Sequence, residues 1–119
     1  MVQLDDLRKY CLGLNGVTED IKWGHDLCFS IGGKMFLVVG LDTQPVTASF
    51  KSYPEEFELL IQQTGFSPAP YMARHHWIFT DDISRLSFKE WEKFILQSYG
   101  LVFGKLPKRT QGAITTSDG

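Results

Sequence analysis

The stretch Leu27-Cys28-Phe29-Ser30-Ile31-Gly32-Gly33-Lys34-Met35-Phe36-Leu37-Val38-Val39 decides the fold. Leu27, Phe29 and Ile31 alternate with Cys28 and Ser30, the period of a strand with one apolar face. Gly32-Gly33 supplies two consecutive residues that accept positive φ, which a two-residue hairpin turn requires. Lys34 to Val39 then returns as a second strand rich in aromatic and β-branched residues. A two-residue connection joins only antiparallel neighbours, so the sheet is predicted to be antiparallel.

Working outward, Asp42-Thr43-Gln44-Pro45 reads as a turn, and Val46 to Phe50 as a third strand. Ser52-Tyr53-Pro54-Glu55 predicts a helix start, with Ser52 as cap and Glu55 closing a capping box. Phe57, Leu60 and Ile61 give that helix its apolar stripe, and Gly65 is the expected residue just past its end. After the Pro68-Ala69-Pro70 loop, His76 to Thr80 reads as a strand ending at Asp81-Asp82. Ser87-Phe88-Lys89-Glu90 is a second capping box, opening a helix whose face carries Phe88, Trp91, Ile95, Tyr99 and Val102. Toward the N-terminus, Leu4, Leu7, Cys11 and Leu14 recur at helical spacing, and Asn15-Gly16 stops a helix over residues 3–13. The predicted class is α+β, order α-β-β-β-α-β-α, with helices packed on one face of an antiparallel sheet. Residues 1–109 form one domain. Residues 110–119 lack apolar periodicity and are expected to be a mobile tail.

A length of 119 residues suits one core, and 43% apolar residues with nine Phe, four Tyr and three Trp supply its material. No apolar run approaches the roughly 20 residues that span a bilayer. The start, Met1-Val2-Gln3-Leu4-Asp5-Asp6, has no basic segment followed by an apolar block. These features, with Cys11 and Cys28 read as free buried thiols, set the expectation of a cytoplasmic, non-membrane protein. The net charge of −2 and pI near 5.9 argue against an ordinary basic nucleic-acid binder. Charge is uneven, however: from residue 85 to 109, Arg85, Lys89, Lys93, Lys105, Lys108 and Arg109 face only Glu90 and Glu92.

Chemistry-bearing motifs are sparse. Adjacent His75 and His76 on a strand would point to opposite faces, so no shared metal is expected. Neither a nucleophile elbow nor a reactive cysteine context is present. Gly32-Gly33-Lys34 lacks the spacing of a phosphate loop and reads as a turn. The acid pairs Asp5-Asp6, Glu55-Glu56 and Asp81-Asp82 sit at helix starts and turns, where capping explains them. No catalytic residue and no cofactor are predicted, and the chain is expected not to be an enzyme. Cations beside aromatics remain: Lys34 on the hairpin tip, Lys51 at a strand end, Arg74 and His75 near Tyr71 and Trp77, and Lys105, Lys108 and Arg109 after the last helix. Exposed cations on rigid edges are the chemistry of phosphate contact. Trp23 and Trp77 are expected to lie in the core.

Several segments in order resemble the MmcQ/YjbR family. They are Leu14-Asn15-Gly16-Val17-Thr18-Glu19, Trp23-Gly24, Phe29, Gly32-Gly33-Lys34-Met35-Phe36, Lys51 with Pro54-Glu55, Gly65 through Tyr71, His76-Trp77-Ile78, Ser98-Tyr99 and Leu106-Pro107-Lys108. Where that family tends to have Leu-Pro-Gly after its first helix, this chain has Asn15. The resemblance implies a frataxin-like (CyaY-like) fold and a DNA-binding role placed on sheet hairpins and their basic surface. The expectation is then a monomer binding DNA weakly and without sequence preference through Lys34, Lys51, Arg74, His75, Lys105, Lys108 and Arg109. The alternative is a protein-interaction or small-ligand module built on the loop from Pro68 to Trp77.

Overall fold

The computed structural model describes residues 1–116. Helix α1 (Leu4–Leu12) leads into four strands, β1 (Val17–Lys22), β2 (Asp26–Ile31), β3 (Lys34–Gly40) and β4 (Thr47–Lys51). Helix α2 (Pro54–Leu60), β5 (Phe66–Pro68) and β6 (Trp77–Thr80) follow, then α3 (Phe88–Phe103) and α4 (Lys108–Thr116). The six strands form one antiparallel sheet in the order β1-β2-β3-β4-β6-β5.

Alternation on β2 sends Leu27, Phe29 and Ile31 to the helical side, where they join Leu37, Phe50 and Ile78 from neighbouring strands. Leu7 and Cys11 of α1, Phe57 and Leu60 of α2, and Trp91, Phe94, Ile95 and Val102 of α3 close over them in a single cluster. Three helices thus cover one face, as the sequence predicts. Full burial of side chains of this size is worth roughly 1.5–3 kcal/mol each. At the centre, the Phe50 and Trp91 rings meet edge to face at 5.4 Å, and Trp91 Nε1 donates to Ile83 O at 2.7 Å. The other face carries the row Cys28, Val38, Ser49 and Phe79, and among the described residues α1, α2 and α3 pack on the opposite side.

The hairpin forms as predicted: Ile31 pairs with Lys34, and Gly32 and Gly33 take φ of 59° and 81°. Ser87 caps α3, its Oγ accepting from Glu90 N while Ser87 N donates to the Glu90 carboxylate. Several details differ. Tyr53, not Ser52, stands at the N-cap of α2, and the Ser52 hydroxyl donates to His76 O at 3.2 Å. Gly65 (φ 87°) lies beyond the end of α2, in the turn that starts β5. His75 ends a 3-10 turn (Ala73–His75), and His76 caps it at φ 62°; the strand begins only at Trp77. Strands β1 and β5 are additional to the predicted order, as is α4. That helix occupies much of the segment expected to be a tail, and Ile114 packs against the core. Residues 117–119 of that predicted tail lie outside the described residues.

Candidate nucleic-acid interface

Four of the seven predicted contact residues meet. Lys34, Lys51, His75 and Lys105 line one cavity of about 310 Å³ together with Met35, Met72, Trp77, Val102, Leu106 and Pro107. Each comes from a different part of the chain: the β2–β3 hairpin, the end of β4, the 3-10 turn before β6, and the segment after α3. Leu106 brings the first and last together. Its Cδ1 stands 2.6 Å from where a Cβ on Gly32 would lie, so any larger residue at the hairpin tip would make the Leu106 side chain move.

Lys51 is fixed from both ends. Its backbone N donates to Ser98 Oγ at 3.0 Å, and its Nζ donates to His75 O at 3.2 Å. Ser98 is fully buried and donates in turn to Phe36 O at 2.6 Å. Phe36 is the extra residue of a bulge: Phe29 pairs with Leu37 and Ser30 with Met35, leaving Phe36 opposite nothing. The serine hydroxyl of α3 therefore bridges β3 and β4 at the residue that bulges out of the β2–β3 pairing.

Among the described residues, no carboxylate lines this cavity. Five of the twelve lysine and arginine side chains are held in ion pairs: Arg8 with Glu19, Lys9 with Asp5, Lys22 with Asp20, Arg85 with Asp81 and Lys93 with Glu56. Among the described residues, Lys34, Lys51, Arg74, Lys89, Lys105, Lys108 and Arg109 have no carboxylate partner. All but Lys89 are predicted contacts. Burial lowers the pKa of Lys51, and the charge of Lys105 lowers it further. Arg74 neighbours His75 in the 3-10 turn, and Lys108 and Arg109 open α4; none of these three lines the cavity.

A second cavity of about 580 Å³ lies along the uncovered sheet face, lined by Val38, Ser49, Trp23, His25, Asp26 and the Ala69–Met72 loop. Met35 and Met72 line both cavities, so the two adjoin. Trp23 is 65% exposed, which corrects its predicted place in the core; Trp77, at 5%, is buried as predicted. Sequence reasoning missed Trp23 because its exposure depends on the β1–β2 connection, and β1 was itself unseen. The signal available was Trp23-Gly24, a turn dipeptide with an aromatic in it. The two histidines separate: His75 lines the lysine cavity, whereas the His76 ring packs edge-on against Phe57 at 5.4 Å. Cys11 and Cys28 are free and fully buried. Burial pushes their thiols up to about 12 and about 11, so neither is a ready nucleophile.

Among solved structures, the chain is similar to the Deinococcus radiodurans protein DR2400, which carries a domain of the DUF419 family model. The TM-score is 0.86 at 24% identity, covering 97% of this chain and 89% of that one. It is also similar to a protein from Pseudomonas syringae, with a TM-score of 0.70 at 20% identity, covering 85% of this chain and 99% of that one. At these identities the likeness shows the α+β fold alone, and neither structure bears on the finer comparison with frataxin. No curated protein matches the chain. The YjbR family model matches residues 12–101, which include the hairpin, the bulge, Ser98 and all but the last part of the lysine cavity, and the chain belongs to the YjbR family.

Proposed function

We propose that this protein is a non-enzymatic DNA-binding protein that contacts phosphates through Lys34, Lys51 and Lys105, with His75 in the same cavity and Arg74, Lys108 and Arg109 nearby in the chain. The observation that carries this reading is the segregation of unpaired cations. Lys9, Lys22 and Lys93 are paired with carboxylates, while Lys34, Lys51 and Lys105 converge on a cavity that has none among the described residues. Burial, and after it the charge of Lys105, lowers the pKa of Lys51, and an anion between the lysines relieves their repulsion. With few contacts, non-specific affinity falls on the order of 10⁻⁴–10⁻⁶ M at physiological salt. The two unbridged thiols support the cytoplasmic placement, and the reading takes the chain as a monomer.

The test is duplex affinity measured as salt rises from about 50 mM to about 200 mM. Affinity should fall linearly on logarithmic axes. Lys34→Gln, Lys51→Gln and Lys105→Gln should each flatten the slope by about 0.9, the counterion release of one phosphate contact on duplex. Lys89→Gln, outside the cavity, should not. A slope that is flat, or unaltered by the three cavity substitutions, would sink the proposal. A second reading has support from the apolar wall formed by Met35, Met72 and Trp77, to which the predicted Pro68–Trp77 loop contributes two residues. On that reading the ligand is a small organic anion, and free nucleotide would compete with DNA at equal molarity.

A further inference from the structure

Trp23 and Tyr71 share an unusual pairing of conformation and exposure. Both have left-handed backbones, φ 55° and 66°, a region that bulky residues rarely occupy. Both are exposed, Trp23 at 65% and Tyr71 fully, and both line the cavity on the uncovered sheet face. Two turns from distant parts of the chain thus hold large rings out of the core toward one groove. That groove adjoins the lysine cavity through Met35 and Met72. One carboxylate is present, Asp26, whose Oδ1 lies 2.9 Å from His25 Nδ1.

An occupant of the whole groove must offer flat apolar faces at one end and anions at the other. Single-stranded nucleic acid repeats both along its length, whereas a duplex hides its base faces in the stack. We infer that the uncovered sheet face binds single-stranded nucleic acid, with Trp23 and Tyr71 as stacking platforms for unpaired bases and the lysine cavity holding the backbone. The inference rests on the phosphate-contact reading above and adds to it a choice of strand and a source of affinity that is not charge.

Intrinsic tryptophan emission tests it directly, because Trp77 and Trp91 are buried at 5% and 0% while Trp23 is open to a stacking base. A short thymidine oligonucleotide and a duplex of equal length are titrated at about 50 mM salt. The single strand should quench emission and bind at least about tenfold more tightly than the duplex, given the worth of stacked bases. Trp23→Ala, read by the anisotropy of a dye-labelled strand because it removes the reporter, and Tyr71→Ala should each weaken single-strand binding roughly tenfold without changing its salt slope, since neither removes a charge. Tyr71→Phe should retain affinity, which separates stacking from a hydroxyl contact; both sites are exposed, and a thermal melt checks that the variants fold. If the alanine variants bind the single strand as the parent does, or the duplex binds as tightly, stacking is wrong and the phosphate reading stands. If neither nucleic acid binds, the phosphate reading fails with it.

Discussion

The Ser98 hydroxyl accepts from Lys51 N and donates to Phe36 O, joining α3 to β3 and β4 at the residue that bulges out of the β2–β3 ladder. Both backbone groups depend on it, and the site is closed to water, with Ser98 at 0% exposure. Ser98→Ala should therefore cost about 1–3 kcal/mol, the penalty of a buried polar group losing its partner. Urea unfolding should show a lower midpoint with unchanged slope. None of this was legible beforehand: Ser98 sits among apolar residues of α3, and serine in a helix reads as neutral filler. Its role arises from a bulge at Phe36 that period-2 counting passes over, because one extra residue leaves the apolar run of β3 intact. Lys34 and Lys51 were legible as candidates for the opposite reason. A lysine at a turn or strand end has few places to go but the surface.

The β2–β3 turn and the α3 cap, marked by local chemistry, formed where the sequence put them; the Ser52 cap and the Gly65 stop of α2, and the elements made by tertiary contact, did not. Gly32-Gly33 and the Ser87–Glu90 box carry their instructions within four residues. β1 is polar, Val-Thr-Glu-Asp-Ile-Lys, and is held as an edge by pairing with β2; β5 is a three-residue edge strand ending in proline. α4 lacks a broad apolar face and docks through Ile114. The hairpin tip shows how such contacts act on the site. Gly32→Ala would set a Cβ against Leu106 and strain φ 59°, while Gly33→Ala would strain φ 81° with nothing within 4 Å of the new atom. Gly33→Ala should cost about 1–2 kcal/mol from backbone strain alone. Gly32→Ala should cost roughly 1–3 kcal/mol more through overpacking, because Leu106 must move. Paired thermal melts give that difference. Equal losses would mean that Leu106 does not clamp the hairpin, and that Lys34 and Lys105 are not held together by it.

Over the whole molecule, net charge of −2 conceals a division of labour: carboxylates neutralise cations around the helices and β1, and the end bearing Lys34, Lys51 and Lys105 is left positive. A whole-chain average could not reveal this, since it depends on which lysines find carboxylates once folded. The arrangement has a pH signature. Lys51 has a lower pKa in the folded protein than its ordinary value of 10.5, so between the two the unfolded chain binds more protons. Its contribution to stability is therefore unfavourable below the folded pKa, and stability rises with pH through that window. Cys11, Cys28 and Tyr10 act in the opposite sense, because their raised pKa values cost stability as pH climbs. The Lys51 effect must be read as a difference between the parent and Lys51→Met. That variant should be more stable than the parent at neutral pH, and its advantage should shrink as pH rises through the lowered pKa. Inorganic pyrophosphate should raise the melting temperature of the parent at neutral pH by binding the folded state, less so at alkaline pH and least in Lys51→Met. Pyrophosphate stabilisation that is equal in both proteins would place the anion elsewhere on the surface. Stabilisation that persists unchanged to high pH would show that the charge of Lys51 is not what holds it.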